Sequence, residues 1–345
     1  MINLSSKRVL VTGHTGFKGR WLCLMLTELG AEVFGVSKDE HFSEIEIVPH
    51  NLDDSHSKQM DLNNFDEFKE YIKVVKPDYI FHLAAQSLVN KGYEFPSETF
   101  EINFLSAIKL CLLAEELPYI QRVVVATTDK CYQNNESGMP FKESDTFGGK
   151  DPYSASKAAL ELAFLGLRQS NVITKTISVR AGNVVGGGDW NDDRLVPDLI
   201  RNLVTKTPTI IRSPESTRPW QHVLDVLWGY VLCLDNNLTA DNWAFNFGPP
   251  VTAPQVTVLQ IALFFADAMN LEVKVDASQM KMEAKFLSLD SSLAKRTLKW
   301  EPTYEGEDIF RQTINWYEKV LLQSVDPGKE SSRLTSQYLQ MRLES

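Results

Sequence analysis

Cysteine is scarce in this 345-residue chain: Cys23, Cys111, Cys131 and Cys233 are the full set, and no C-x-x-C pair occurs. Each sits in apolar surroundings, which excludes a disulfide framework and marks reduced core residues. No stretch of 18 apolar residues exists, so no membrane-spanning helix is expected. The opening stretch Met1–Arg8 has no apolar signal region, and the expectation is a cytoplasmic protein. Positive charge is also short, with 35 Lys and Arg against 45 Asp and Glu and a net charge of -10. That balance disfavours nucleic acid as a partner, and any anionic ligand must be held by local basic residues. His41, His50 and His56 lack metal-ligand spacing, so no metal is expected. Internal repeats and low-complexity tracts are missing as well. What is present is 43% hydrophobic content, enough to bury a large core as one big domain or two lobes.

The N-terminal part carries a nucleotide-binding pattern. Arg8-Val9-Leu10-Val11 is a short apolar run of the buried parallel-strand kind. It breaks into Gly13-His14-Thr15-Gly16-Phe17-Lys18-Gly19 and then into the helical Trp21–Leu26. Strand, glycine turn and helix in this order form a dinucleotide fingerprint, in which the glycines let backbone approach a pyrophosphate at the helix N-terminus. A second strand, Glu32–Val36, ends at Ser37-Lys38, where an acid normally grips the adenosine ribose. Lys38 suits a 2′-phosphate instead, which leaves NAD and NADP both open. Asp61-Leu62 marks a third strand end near the adenine. Tyr79–Ala85 (Y-I-F-H-L-A-A) is a fourth strand whose small residues leave room for a cofactor. Arg122–Ala126 is a fifth. The pattern reads as an α/β, Rossmann-type doubly wound parallel sheet, whose ligand chemistry gathers at the carboxyl ends of the strands.

At that edge stands Thr127-Thr128-Asp129-Lys130-Cys131-Tyr132, followed by Tyr153-Ser154-Ala155-Ser156-Lys157. Tyr153 and Lys157 are four apart and share one face of a helix that Pro152 is suited to open. A free tyrosine has a pKa near ~10, and a lysine one turn away plus a cationic nicotinamide ring lowers the cost of its phenolate. Thr128, Tyr153 and Lys157 are what hydride transfer to a nicotinamide requires. The Asp129-Lys130 pair is what a second, proton-moving step requires. In that step Lys130 takes a proton only when neutral, which needs burial or a cationic neighbour.

The organisation changes near residue 180. Residues 1–180 read as the dinucleotide-binding domain, with later returns of the chain near 220–245. Residues 181–345 read mainly as a smaller, mixed α/β substrate-binding lobe. Its loops carry Arg194, Arg212 and Arg218, which suit a diphosphate. A helix is expected over 198–204 and another from near Asp225. The tail from Ser324 mixes charge and amides and reads as a peripheral arm.

The glycine turn, His82-Leu83-Ala84-Ala85 and Y-x-x-x-K resemble the extended short-chain dehydrogenases/reductases that act on nucleotide sugars. V-T-G-H-T-G-F-K-G, T-D-K-C-Y, R-A-G-N-V-V-G-G-G-D-W-x-x-D-R-L and R-P-W-Q-H-V-L resemble, within them, the 4,6-dehydratases of CDP-glucose. The resemblance runs from about Arg8 to about Tyr317. Related sugar dehydratases carry Asp-Glu where this chain has Asp129-Lys130. The resemblance implies catalytic roles for Thr128, Asp129, Lys130, Tyr153 and Lys157. It implies cofactor contacts at Gly13, Thr15, Gly16, Phe17, Lys18, Gly19, Ser37, Lys38, Asp61, Leu62, Leu83, Ala84, Ala85, Asn103, Thr127, Tyr153 and Lys157. Substrate contacts are implied at Gln86, Thr128, Asn183, Arg194, Leu195, Arg218 and His222. It further implies bound NAD, CDP-glucose as substrate, a homo-oligomer (dimer or tetramer), and a place in deoxysugar biosynthesis of the lipopolysaccharide O-antigen kind. Two other readings remain open: a nucleotide-sugar 4-epimerase or dehydrogenase, which leaves Asp129-Lys130 without a task, and a non-catalytic dinucleotide sensor, which has no need of Tyr153 and Lys157.

Overall fold

The computed structural model describes residues 2–38, 52, 55–192, 194–239, 241–250, 252–253, 256–276 and 286–344. His41 and His50 lie outside the described residues. The first half runs β1 (Arg8–Thr12), α1 (Phe17–Glu28), β2 (Glu32–Ser37), β3 (Ser57–Gln59), α2 (Phe65–Val75) and β4 (Tyr79–His82). It continues through α3 (Val89–Glu94), α4 (Pro96–Phe100), a π-helical turn (Glu101–Ser106), α5 (Ala107–Glu116), β5 (Arg122–Ala126), α6 (Pro152–Gln169) and β6 (Thr176–Ala181). The second half runs β7 (Val184–Val185), α7 (Leu195–Thr205), β8 (Thr209–Ile211), β9 (Gln221–His222), α8 (Val223–Leu232) and β10 (Ala244–Phe247). It ends with α9 (Val258–Met269), β11 (Val273–Val275), α10 (Ser292–Leu298), α11 (Glu307–Tyr317) and α12 (Pro327–Glu344).

Seven strands form one parallel sheet in the order β10-β6-β5-β4-β1-β2-β3. The strand sequences are near-continuous apolar runs because both faces are covered. Val9, Val11, Phe81, Val124, Ile177 and Val179 face a core built with α1, α8, α11 and α12. Leu10, Phe34, Val36, Ile80, Val123 and Val125 face a second core with α2, α5 and α6. That alternation is the doubly wound arrangement. β10 joins the sheet from beyond residue 180, beside β6. Two small sheets, β8 with β11 and β7 with β9, lie outside it.

Two sequence expectations are corrected. α7 begins at Leu195 rather than 198, because Pro197 sits in the first turn, where its missing N–H leaves no broken helical bond. The tail is not a peripheral arm. α12 packs on α1 and buries Leu334, Tyr338 and Leu339. Tyr338 Oη and Arg342 Nη2 donate to the buried carboxylate of Asp225 at 2.8 and 3.2 Å, and the N–H groups of Thr303 and Tyr304 donate to it at 2.7 and 3.1 Å.

Candidate active site

The glycine turn is shaped by close approach of backbone. Gly13 adopts φ +73°, and a Cβ there would stand 2.8 Å from the Ala84 nitrogen. A Cβ on Gly19 would stand 2.1 Å from the Gly13 carbonyl oxygen. The N-terminus of α1 has neither a side-chain cap nor an acid in its first turn, so its N–H groups are left to an anion. These residues fit the pyrophosphate of a dinucleotide. Thr15, Gly16, Phe17, Lys18, Ser37, Lys38, Asp61, Leu62, Leu83, Ala84, Ala85 and Thr127 line the same cavity of about 1180 Å³.

Ser37 and Lys38 have more local tasks than the sequence suggests. The Ser37 hydroxyl accepts from the Thr15 backbone at 3.2 Å and bonds His14 Nδ1 at 3.0 Å, and His14 Nε2 bonds Ser57 Oγ at 2.7 Å. His14 therefore ties the glycine turn to β2 and β3, a role its place inside the glycine motif does not reveal. A Cβ on Gly35 would collide with its ring at 2.3 Å. Lys38 Nζ lies 3.3 Å from Asp61 and 3.6 Å from Glu98. The hydrogen bond to Asp61 raises its pKa, and its charge is already matched by two carboxylates. The expectation that Lys38 meets a 2′-phosphate loses its basis, since any phosphate there also meets Asp61 and Glu98.

The catalytic candidates converge at the carboxyl ends of β5 and β6. Asp151 caps α6, its Oδ1 accepting from Ser154 N at 2.9 Å, and Pro152 opens the helix. Tyr153 and Lys157 are thereby aimed into the cavity that Thr128, Asp129 and Lys130 also line. Burial pushes the Tyr153 phenol up to about 12, and the hydrogen bond with Thr128 offsets this only in part. The Lys157 ammonium donates instead to the Ala126 carbonyl at 3.1 Å, and burial takes its pKa down to about 8. A phenolate held ready by Lys157 is therefore not what the chain alone provides. Asp129 is 2% exposed. Burial raises its pKa against the pull of Lys130, Thr128, Arg218 and Lys18, which favours the protonated acid. Its Oδ1 accepts from Thr128 Oγ1 at 3.1 Å, while its Oδ2 is buried with no hydrogen-bond partner among the described residues. Lys130 is exposed on the cavity wall, so the burial expected for it is not supplied by the chain itself.

Lys18 turns out to belong to both halves of the site. It follows the glycine turn, yet burial, then the neighbouring Arg194, lowers its pKa to about 8, with Asp129, Lys157 and Asp189 also close enough to act on it. Arg194 Nη1 is held 3.3 Å from Asp189 Oδ2, and Arg194, Leu195, Arg212, Arg218, Gln86 and Asn183 all line the cavity. Two candidates do not reach it. Asn103 is 1% exposed and acts from behind: its amide accepts from Gln86 N at 2.8 Å and donates to Gln86 O and Ser156 Oγ at 2.9 and 3.1 Å. His222 faces the interior, where it accepts from Leu224 N to cap α8 and packs against Tyr304, and burial lowers its pKa to about 3. The resemblance implied a substrate contact at His222, but Arg218 stands in the cavity-lining loop while His222 ends β9 and caps α8. Cys23, Cys111, Cys131 and Cys233 are all buried and unbridged. Among the described residues no helix is long and apolar enough to cross a membrane.

A dinucleotide cradle beneath a Thr/Tyr/Lys centre, at the carboxyl edge of a doubly wound sheet, defines a nicotinamide-dependent enzyme of the α/β class. The model of the NAD dependent epimerase/dehydratase family matches residues 9–248, and the chain belongs to that family. It is 38% identical to the CDP-glucose 4,6-dehydratase of Salmonella typhimurium over 96% of each chain. Its fold is that of the UDP-glucose 4-epimerase from Thermotoga maritima, solved with UDP-glucose (TM-score 0.78, 22% identity, 91% of this chain and 99% of that one). It is equally that of the dTDP-glucose 4,6-dehydratase from Bacillus anthracis, solved with NAD (TM-score 0.76, 20% identity, 92% and 98%).

Proposed function

We propose that this chain is an NAD-dependent nucleotide-sugar 4,6-dehydratase, a hydro-lyase, and that its substrate is CDP-glucose, converted to CDP-4-dehydro-6-deoxy-glucose and water. The observation that carries the elimination step is Asp129: a buried carboxyl whose pKa burial raises and whose Oδ2 has no partner among the described residues, beside Lys130 and Thr128 in the cavity that holds Tyr153. A 4-epimerase has no use for that pair. The whole-length relation to the Salmonella typhimurium enzyme supports CDP-glucose among nucleotide sugars.

Residues 1–180 hold the cofactor in this reading, and residues 181–345 hold mainly the nucleotide sugar. The α1 N-terminus and Gly13, Gly16 and Gly19 hold the pyrophosphate of NAD. When bound, NAD supplies the two-electron acceptor that takes hydrogen from C4 and gives it back at C6. Tyr153 removes the C4 hydroxyl proton, and Thr128 hydrogen-bonds the same oxygen. The resulting C4 ketone acidifies the C5 proton, which Lys130 takes as a neutral amine. The nucleotide sugar, seated in the cavity, covers the exposed Lys130. Asp129 gives its proton to the C6 hydroxyl, which departs as water, and the Lys130 ammonium returns its proton to C5 as C6 regains hydride. Arg194, Arg212 and Arg218 meet the diphosphate. The reading includes a homo-oligomer, dimer or tetramer, to be measured by sedimentation. The deciding experiment supplies CDP-, dTDP-, GDP- and UDP-glucose separately and follows each by mass. Loss of one water from CDP-glucose supports the reading, and interconversion without loss of mass overturns it in favour of an epimerase.

A further inference from the structure

Behind the catalytic turn lies an ion pair that touches neither substrate nor cofactor space. Glu161 follows Tyr153 and Lys157 at four-residue intervals on the same face of α6, and both Glu161 and Arg180 of β6 are completely buried. Arg180 donates through Nε to Glu161 Oε1 at 2.8 Å and through Nη2 to Oε2 at 2.6 Å. Thr127 Oγ1 and Ser178 Oγ each donate to Oε1 at 2.5 Å. On its other side Arg180 Nη1 donates to Tyr132 Oη at 2.6 Å, and that phenol donates to Asn246 Oδ1 at 2.7 Å. The rings of Phe147, Tyr132 and Trp243 surround the guanidinium at 5.0, 5.3 and 5.5 Å.

We infer that the Glu161–Arg180 pair is a positioning device, which clamps both ends of the catalytic turn 127–132 and holds Lys157 in register with it. The inference rests on the dehydratase reading above. Thr127 opens the turn on the carboxylate, and Tyr132 closes it on the guanidinium. Thr128, Asp129 and Lys130 lie between, and the Lys157 ammonium bonds Ala126, the residue just before the turn. One ion pair thus aligns the hydrogen-transfer groups with the elimination groups. Stability alone is a poor reason to bury it, because well-packed apolar residues are often as stable as a buried pair. A fully satisfied buried network makes an arrangement unique and rigid. Misplacing reacting groups by about 1 Å costs turnover by ~10²-fold.

The clamp also acts electrostatically. Burial is the largest influence on Lys157, and Glu161 is the foremost group opposing it. The other groups acting with Lys157 are Cys131 of the turn, His82 of β4 and Lys18 of α1, and Tyr153 stands one turn before it on its own helix. Removing the Glu161 charge therefore lowers the Lys157 pKa from about 8, and the alkaline limb of the rate profile moves to lower pH.

Two variants test this in the intact protein with NAD and CDP-glucose. Tyr132→Phe keeps the ring stacked on Phe141 and removes only the hydroxyl that joins Arg180 to Asn246. Its product formation is expected to fall about tenfold, while nicotinamide reduction on mixing keeps its amplitude. Glu161→Gln keeps the volume and is expected to shift the alkaline limb to lower pH. Thermal melting is followed alongside. Should both variants only melt earlier, with the wild-type ratio of product to nicotinamide reduction and the wild-type pH limb, the pair is structural and the inference is overturned. Where Glu161→Gln does not fold, the ratio in Tyr132→Phe decides alone. A wild-type protein that releases no water from CDP-glucose sinks the dehydratase reading first and the inference with it. An active wild type with unaltered variants sinks the inference only.

Discussion

Asp129→Asn isolates the elimination step. The amide keeps the shape of the side chain and can still accept from Thr128, but it has no proton to give the departing C6 hydroxyl. General acid catalysis is worth about 10²–10⁴ in rate, so product formation should fall by about 10³, or ~4 kcal/mol at ~1.4 per decade. Nicotinamide reduction on mixing with CDP-glucose should survive, because Tyr153 and Thr128 are untouched. Exchange of the C5 hydrogen with deuterated water should also persist in Asp129→Asn and disappear in Lys130→Ala. Stability gives an independent check. The folded chain raises the Asp129 pKa, so the stability linked to its proton is present below the ordinary carboxylate pKa and is lost as pH rises through the raised one. Asparagine carries no such penalty. The variant should therefore melt no earlier than wild type at neutral pH, and its advantage should vanish in acid. Rapid mixing, alkaline ultraviolet absorbance of the 4-keto-6-deoxy product and melting curves read all of this. If product formation stays within about twofold of wild type, or nicotinamide reduction is lost in proportion, Asp129 is not the acid.

Tyr153→Phe removes the group that takes the C4 proton and should lower turnover by at least ~10² with cofactor binding retained; near-normal turnover removes Tyr153 from that role. NADP should support at least about tenfold less turnover than NAD, because a 2′-phosphate beside Lys38 also meets Asp61 and Glu98. Asp61→Asn combined with Glu98→Gln should narrow the gap, and an unchanged ratio between the two cofactors refutes that account. Asp225→Ala leaves Arg342 and two backbone N–H groups without their carboxylate. It should cost about 3–5 kcal/mol and lower the melting midpoint by about 5 °C. A shift of less than about 1 °C means α12 is held by its apolar contacts alone.

The parts of the fold visible in the sequence are those with a local physical cause. β1, β4 and β5 could be read because strands buried on both faces are continuous apolar runs, and Gly13 because its turn needs a backbone no side chain tolerates. Tyr153 and Lys157 were legible through a four-residue spacing, and Glu161 extends that spacing by one more step. What could not be read depends on burial contributed by distant segments. α12 was hidden by its surface charges, although Leu334 and Tyr338 are four apart and both face the core. His222 could not be placed from sequence, because only one residue separates the cavity-lining Trp220 from its own inward-facing ring. Lys38 depends on Asp61 and Glu98, residues from later in the chain.

Electrostatics shows the same dependence, with a consequence for the order of events. Burial holds Tyr153 and Asp129 toward their neutral forms and takes Lys157 and Lys18 down to about 8, so it opposes charge on every group it encloses. Ionising a phenol at about 12 near neutral pH costs about five decades, or roughly 7 kcal/mol. Neither Thr128 nor Lys157 offsets that in the chain by itself. A cationic nicotinamide ring beside Tyr153 would do so by charge, and a substrate hydroxyl would do so by replacing lost hydration. In the proposed mechanism, proton removal at C4 therefore waits until both ligands are in place, and a sugar nucleotide bound without cofactor would meet a tyrosine that is still protonated.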